Sequence, residues 1–278
     1  MTKLTLNSPA KINFGLNIIN KRDDGFHNLK TFFYPIYDLC DKIIFEPSKH
    51  FIFDSNNLDL IKDPSNLIQR AHSAIESLVN KKINVKIYLD KKIPIGAGLG
   101  GGSSNAASTL VGLNEMFELK INEKDLMQMA LKLGSDVPFF IKSKPAIGSS
   151  RGELLELSKC YDENFIVIIN PGIHISTKEA FANIKPKPAT FNYNYFLKNE
   201  KVDYEFMRTN LTNDFEEYVF KTYPEIKKIK ESLYNSGAIF SMMSGTGSTV
   251  YAIFDEEEKA KLSLTEFPES YFRFISHP

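Results

Sequence analysis

Residues 94–105 read Pro-Ile-Gly-Ala-Gly-Leu-Gly-Gly-Gly-Ser-Ser-Asn, and five of the chain's 15 glycines fall within these twelve positions. Glycine at that density lets backbone approach a ligand closely or turn through positive φ. A run of bare N–H groups leading into a helix is an anion site, and the helix N-terminus adds partial positive charge. Ser103 and Ser104, at the helix start, could cap it, bind phosphate or reach a divalent metal. Outside the loop, Lys11 and Asn13 share one face of an alternating segment, and His27 sits in a Gly-Phe-His turn. Asp136 follows a helix end and precedes an apolar Val-Pro-Phe-Phe run. A fixed lysine stabilises developing negative charge and a held aspartate accepts a proton. Pattern alone favours the plainer readings, that Lys11 and Asn13 line a solvated edge and that Asp136 makes a turn before Pro138.

These residues need elements to hold them. Ile83, Val85, Ile87 and Leu89 alternate with polar residues and predict a half-buried strand before the loop. Ala106, Leu110, Leu113 and Phe117 fall at helical spacing, so 103–117 reads as a helix after it. Residues 4–19 read as β structure, with Ile12, Phe14, Leu16 and Ile18 on one face and Lys11, Asn13, Gly15 and Asn17 on the other. Asp23-Asp24-Gly25 is a turn, and 31–37, 42–46 and 50–53 are further short strands. Ser65 reads as the cap of a helix whose stripe is Leu67, Ala71, Ala74, Ile75 and Leu78. A second helix spans 123–133, capped by Asn122 and ended by Gly134. After about residue 155 the pattern restarts. It reads as a strand at 165–169, a capping box at Ser176-x-x-Glu179, and an irregular stretch at 185–205 rich in asparagine and tyrosine. Helices at 213–222 and 224–235, strands at 239–243 and 249–254 joined by a glycine turn, then a helix and a strand at 271–275 complete the chain. The fold class is α+β, in two lobes meeting near residue 155.

Composition narrows the function. Lys+Arg and Asp+Glu are both 34, so bulk charge points to neither nucleic acid nor a membrane surface. Apolar residues make up 42%, enough for real cores. The two cysteines, Cys40 and Cys160, form no disulfide framework or zinc site and are expected to be buried thiols. Lys91-Lys92 reads as a solvated strand end. The start of the chain lacks the apolar stretch of a signal peptide, and runs such as 165–169 are too short to span a membrane. The expectation is a soluble, cytoplasmic protein, monomer or homodimer.

Several loop chemistries compete. A Walker loop needs a lysine, and 94–105 has none. Gly96-x-Gly98-x-x-Gly101 matches the dinucleotide fingerprint formally, but that site requires a second parallel strand ending in an acidic residue after the helix. Here 119–125 runs almost directly into another helix. The strand lysine and His-Arg-Asp loop of protein kinases are missing. A ligand-free glycine turn ordinarily uses one or two glycines. The segment Pro-x-Gly-x-Gly-Leu-Gly-Gly-Gly-Ser-Ser-Asn-Ala-Ala instead resembles the phosphate loop of the GHMP kinases. Pro9-Ala10-Lys11-Ile12-Asn13, Gly25-Phe26-His27, Leu133-Gly134-Ser135-Asp136-Val137-Pro138-Phe139 and Met243-Ser244-Gly245-Thr246-Gly247-Ser248 resemble further family motifs, in the family's order.

That resemblance implies a two-lobed GHMP fold. An N-terminal ATP-binding lobe of ribosomal-protein-S5-like type would occupy 1–155, and a C-terminal α/β-sandwich lobe at 156–278 would contribute to the substrate site. It implies ATP and Mg2+ as cofactors, with phosphate contacts from Pro94, Ile95, Gly96, Ala97, Gly98, Leu99, Gly100, Gly101, Gly102, Ser103 and Ser104. Ser104 is the metal-ligand candidate, and Asn66 would approach adenine. Asp136 becomes the base, with Lys11 beside it. The doubled serine and Gly-Phe-His imply the branch of the family whose substrate is a small molecule with a cytidine diphosphate moiety, in the non-mevalonate isoprenoid pathway. There Asn13, Phe26, His27 and Phe181 would bind substrate, the two phenylalanines as faces for the pyrimidine and His27 at its edge. The family usually has tyrosine where Phe26 stands, and its compact Gly-x-Gly-Glu is replaced here by Gly148-Ser-Ser-Arg-Gly-Glu153. A homoserine- or mevalonate-type kinase is the alternative within the family. A non-catalytic nucleotide-binding protein is the alternative outside it.

Overall fold

The alternation at the start of the chain produces a long strand, and the computed structural model, which describes residues 2–278, shows ten strands among them. They are β1 (Leu4–Lys21), β2 (His27–Pro47), β3 (Ile52–Ser55), β4 (Val85–Asp90), β5 (Ala146–Ser150), β6 (Leu154–Leu157), β7 (Phe165–Asn170), β8 (Phe240–Met243), β9 (Val250–Phe254) and β10 (Phe272–Ser276). The two short strands expected at 31–37 and 42–46 are one continuous β2. Its polar interruption at Asp41 does not break it, because that carboxylate is drawn inside by other chain segments.

The chain forms two compact units, each assembled from separate stretches. One comprises Met1–Ala10, Leu39–Ile95 and Gly100–Ser143; the other comprises Lys11–Asp38, Gly96–Leu99 and Lys144–Pro278. Strands β1 and β2, and the glycine loop, therefore contribute residues to both.

In the first unit β4 pairs antiparallel with β2, from Lys42↔Asp90 to Pro47↔Val85, and parallel with β3. Val85, Ile87 and Leu89 are buried while Lys86, Tyr88 and Asp90 are only half so, as alternation predicts. Helix Gly101–Met116 packs Ala106, Leu110 and Leu113 into this core. Each large side chain so buried contributes about 1.5–3 kcal/mol. At Gly112 a Cβ would come within 2.5 Å of the Phe45 ring, so the helix needs glycine there. Helix Leu67–Val79 is capped by Asn66, whose Oδ1 accepts from the Ile68 N–H at 2.9 Å, and not by Ser65. Leu78, expected in its buried stripe, is exposed. Helix Glu123–Leu133 is capped by Asn122 as expected.

In the second unit β5 pairs with β2 and β6 with β5, all antiparallel. A separate sheet runs β10-β7-β9-β8, also antiparallel. The stretch 185–205 is less irregular than expected: it holds helix Tyr195–Lys198, with helix Tyr204–Asn210 at its end. Its asparagines read as breakers, but aromatic anchoring outweighs them, since Phe196 stacks on Phe32 at 3.9 Å between centroids. Asp203 caps the second of these helices. No helix among the described residues is long and apolar enough to cross a membrane.

Candidate functional site

The glycine loop opens its helix without a side-chain cap. Gly100 takes φ +71, helix Gly101–Met116 follows, and Ser104 N donates to Gly100 O at 2.9 Å. The N–H groups of Gly101, Gly102 and Ser103 accordingly have no protein acceptor among the described residues, which suits a helix start that receives an anion. Gly102 is exposed and Ser103 half-buried. Ser104 is different. It is fully buried, and its hydroxyl accepts from Ser8 Oγ at 2.9 Å. Asn105 donates both to Ser8 Oγ (3.1 Å) and to Asp41 Oδ2 (2.9 Å).

Asp41 is the hub of this region. It has no solvent exposure, and it accepts from Lys91 Nζ at 2.5 Å and from the N–H groups of Lys92 and Ile93 at 2.7 and 2.8 Å. Burial pulls the Lys91 pKa down and the Asp41 charge opposes that. Lys91 is thus an interior ion-pair partner and not the solvated strand end expected from Lys91-Lys92. A Cβ at Gly101 would meet the Lys91 ammonium at 2.8 Å, so glycine lets the helix start close on this pair. Asp41 thereby ties the approach to the loop to the helix that leaves it. Asp136 is half-buried with αR backbone, just before helix Val137–Lys142, and its carboxylate does not cap that helix. Asn66 has both ends of its amide engaged, at Ile68 N and Leu60 O.

The second unit holds the other part of the loop. Gly96 and Gly98 take φ +65 and +77. A Cβ at Gly98 would lie 2.2 Å from Ser244 O, so only glycine fits against the 243–248 turn, which packs beside the loop. Ser244 Oγ donates to Gly98 O at 2.9 Å and accepts from Asn13 N at 3.3 Å, and Thr249 N donates to Ala97 O at 3.3 Å. Lys11 is 2% exposed; its Nζ donates to Gly98 O at 2.8 Å and to Asn13 Oδ1 at 2.5 Å. Asn13 donates in turn to Thr31 Oγ1 (2.8 Å), and Thr31 to Gly15 O (2.6 Å). Lys11 and Asn13 therefore do not line a solvated edge. They form a buried polar file that fixes an ammonium against the backbone of the glycine loop.

Phe26 and His27 stand at the start of β2. Phe26 is half exposed, with the Arg151 guanidinium 4.1 Å from its ring centroid. His27 stacks on Phe181 at 5.0 Å and 28°, and Phe181 meets Phe215 edge-on. Burial and the Lys21 charge hold the His27 pKa below the usual histidine value. The structure thus brings His27 and Phe181 together and leaves part of the Phe26 ring open. The roles of Asp41, Lys91 and Arg151 escaped sequence reasoning. Gly148-Ser-Ser-Arg-Gly-Glu153 marked Arg151 only as an irregularity, and nothing local distinguishes a buried Asp41 from a surface acid.

The GHMP kinases N terminal domain matches residues 66–144, and the GHMP kinases C terminal domain matches residues 203–271. A 4-diphosphocytidyl-2-C-methyl-D-erythritol kinase of Citrifermentans bemidjiense is 37% identical over 276 residues, covering 97% of this chain and 96% of its own. One from Bacteroides fragilis is 41% identical over 258 residues, covering 90% and 92%. A crystal structure of 4-(cytidine 5'-diphospho)-2C-methyl-D-erythritol kinase matches at TM-score 0.80 and 28% identity, covering 98% of each chain. An uncapped glycine-rich helix start, a buried lysine on its loop and relatives of this similarity along nearly the whole chain lead to one conclusion: the chain belongs to the 4-diphosphocytidyl-2-C-methyl-D-erythritol kinases of the GHMP family, ATP-dependent small-molecule kinases.

Proposed function

We propose that this kinase transfers the γ-phosphoryl group of ATP to the 2-hydroxyl of 4-diphosphocytidyl-2-C-methyl-D-erythritol, in the cytoplasm, as a step in isoprenoid precursor synthesis. The observation that carries the reading is the Lys11 ammonium, buried and 2.8 Å from the Gly98 carbonyl of the phosphate loop. Phosphoryl transfer proceeds through a loose transition state, so positioning and charge stabilisation supply most of the catalysis. Lys11 offsets charge developing on the transferring group, and its hydrogen bonds to Gly98 and Asn13 hold it in place beforehand. Asp136 takes the proton of the acceptor hydroxyl. The N–H groups of Gly101, Gly102 and Ser103, at the start of their helix, would receive the phosphates of bound ATP. Mg2+ supplies charge neutralisation on the phosphates when bound. Magnesium keeps several waters and needs few protein carboxylates, so the nucleotide phosphates and a hydroxyl at the helix start would hold it. The buried Ser104 hydroxyl already serves Ser8, which leaves Ser103 as the outward hydroxyl of the pair.

In this reading Phe26 and Phe181 are the apolar walls for cytosine and Asn13 shapes the acceptor end. His27, kept neutral, offers one donor and one acceptor to the base edge. The division of labour between an ATP-binding lobe at 1–155 and a substrate-contributing lobe at 156–278 belongs to the same proposal. The test is turnover with magnesium, ATP and the cytidylylated methylerythritol, with the product examined by phosphorus NMR. A new phosphate monoester on the 2-hydroxyl is expected. Phosphate on another oxygen, or none, overturns the assignment.

A further inference from the structure

Arg151 takes an unusual place beside the proposed base platform. It lies in the β5–β6 turn, where Ser150 takes φ +61 and Gly152 φ +109. Two carboxylates close to this turn are already committed. Glu153 accepts from the Arg151 backbone N–H at 2.7 Å and from Ser150 Oγ at 3.0 Å. Asp24 is held by Arg22, whose Nη2 lies 2.9 Å from Oδ2, and accepts from the Phe26 N–H at 3.1 Å. Arg22 also donates to Ser150 Oγ at 2.8 Å, which ties the 22–28 turn to the β5–β6 turn. The Arg151 guanidinium donates a hydrogen bond to neither acid, though, after the Arg22 hydrogen bond, its charge helps hold the Asp24 carboxyl below its usual value. It lies 4.1 Å from the centroid of Phe26, and its Nε is buried with no hydrogen-bond partner among the described residues. A buried N–H without an acceptor is costly, and the recorded contact of the guanidinium is the face of the Phe26 ring.

Resting on the reading of Phe26 as a platform for cytosine, we propose that Arg151 is a specificity-determining positioning residue for the cytidine moiety. Its planar cation backs one part of the Phe26 ring and fixes the ring's orientation, while the rest of the ring, half exposed, presents to the pyrimidine. Without the cation, Phe26 is an exposed side chain at the end of a turn, free to change rotamer, and must be ordered by the ligand itself.

The test measures KM for the cytidylylated substrate and for ATP separately in R151Q, R151K, F26A and the double variant F26A/R151Q. R151Q is expected to raise the KM for the cytidylylated substrate about 3–10-fold and to leave kcat and the KM for ATP unchanged. R151K is expected to recover part of the loss, and R151Q to add nothing once Phe26 is alanine. The inference on Arg151 is overturned if F26A raises the substrate KM and R151Q does not. It is also overturned if R151Q raises both KM values alike, or acts equally in the F26A background. An unchanged substrate KM in F26A, or no turnover of the cytidylylated acceptor, overturns the platform reading and this inference with it.

Discussion

Asp136 and Lys11 carry different parts of the proposed chemistry, and their substitutions should differ accordingly. Asp136 does not cap the helix it precedes, so Asp136→Asn removes a base without removing a helix cap. It is expected to lower kcat about 10²–10⁴-fold with ATP affinity retained, measurable by turnover and nucleotide titration in parallel. Lys11→Met also strips a donor from Gly98 O, so it should lower kcat by a similar factor and weaken ATP binding as well. Equal ATP affinity in both variants contradicts the placement of Lys11 on the loop. His27 makes a pH prediction. Burial and Lys21 depress its folded pKa, so the neutral ring persists through the usual value of about 6.5. Stability resting on that neutral ring is present above the unfolded value and lost as pH falls. Substrate KM should rise as pH falls, over a range below that of an ordinary histidine, and His27→Gln should flatten the rise.

The glycine loop is an element whose individual glycines are not equivalent. Gly98→Ala would put a Cβ 2.2 Å from Ser244 O at φ +77, whereas at Gly102 the nearest atom is Leu67 Cδ1 at 3.8 Å. Gly98→Ala is expected to abolish ATP binding or folding, and Gly102→Ala to leave thermal stability nearly unchanged, as a melting comparison would show. Asp41→Asn leaves Lys91 buried without its counter-charge and is expected to cost about 3–5 kcal/mol in denaturant unfolding. The helices and strands around the loop were legible because periodicity reports burial: Glu123–Leu133 and the alternation of 83–89 appear as expected. The Ser65 cap misled because two capping residues stand side by side, and only the backbone decides that Asn66 takes the role. Asp41 and Arg151 were not legible as partners, because pairing across 50 and 125 positions leaves no local trace.

For the whole molecule, the fold class and the order of motifs could be read from the chain, while the interleaving of the two units could not. Long strands that continue past a unit's edge look, in sequence, like strands confined to one lobe. The thiols give an independent test of the packing. Cys160 is buried, and burial with the nearby Asp162 charge pushes its pKa to about 12. Cys40 is only half-buried. A thiol reagent at neutral pH should modify at most Cys40 in the native protein and both cysteines after denaturation. Rapid native labelling of Cys160 contradicts the core described for the second unit. The central claim concerns the acceptor, and the most direct measurement is ADP release with magnesium and ATP in the presence of the cytidylylated methylerythritol, methylerythritol phosphate, homoserine or mevalonate. Turnover with the cytidylylated compound alone is predicted. Turnover with homoserine or mevalonate, or ATP binding with no turnover on any acceptor, contradicts it.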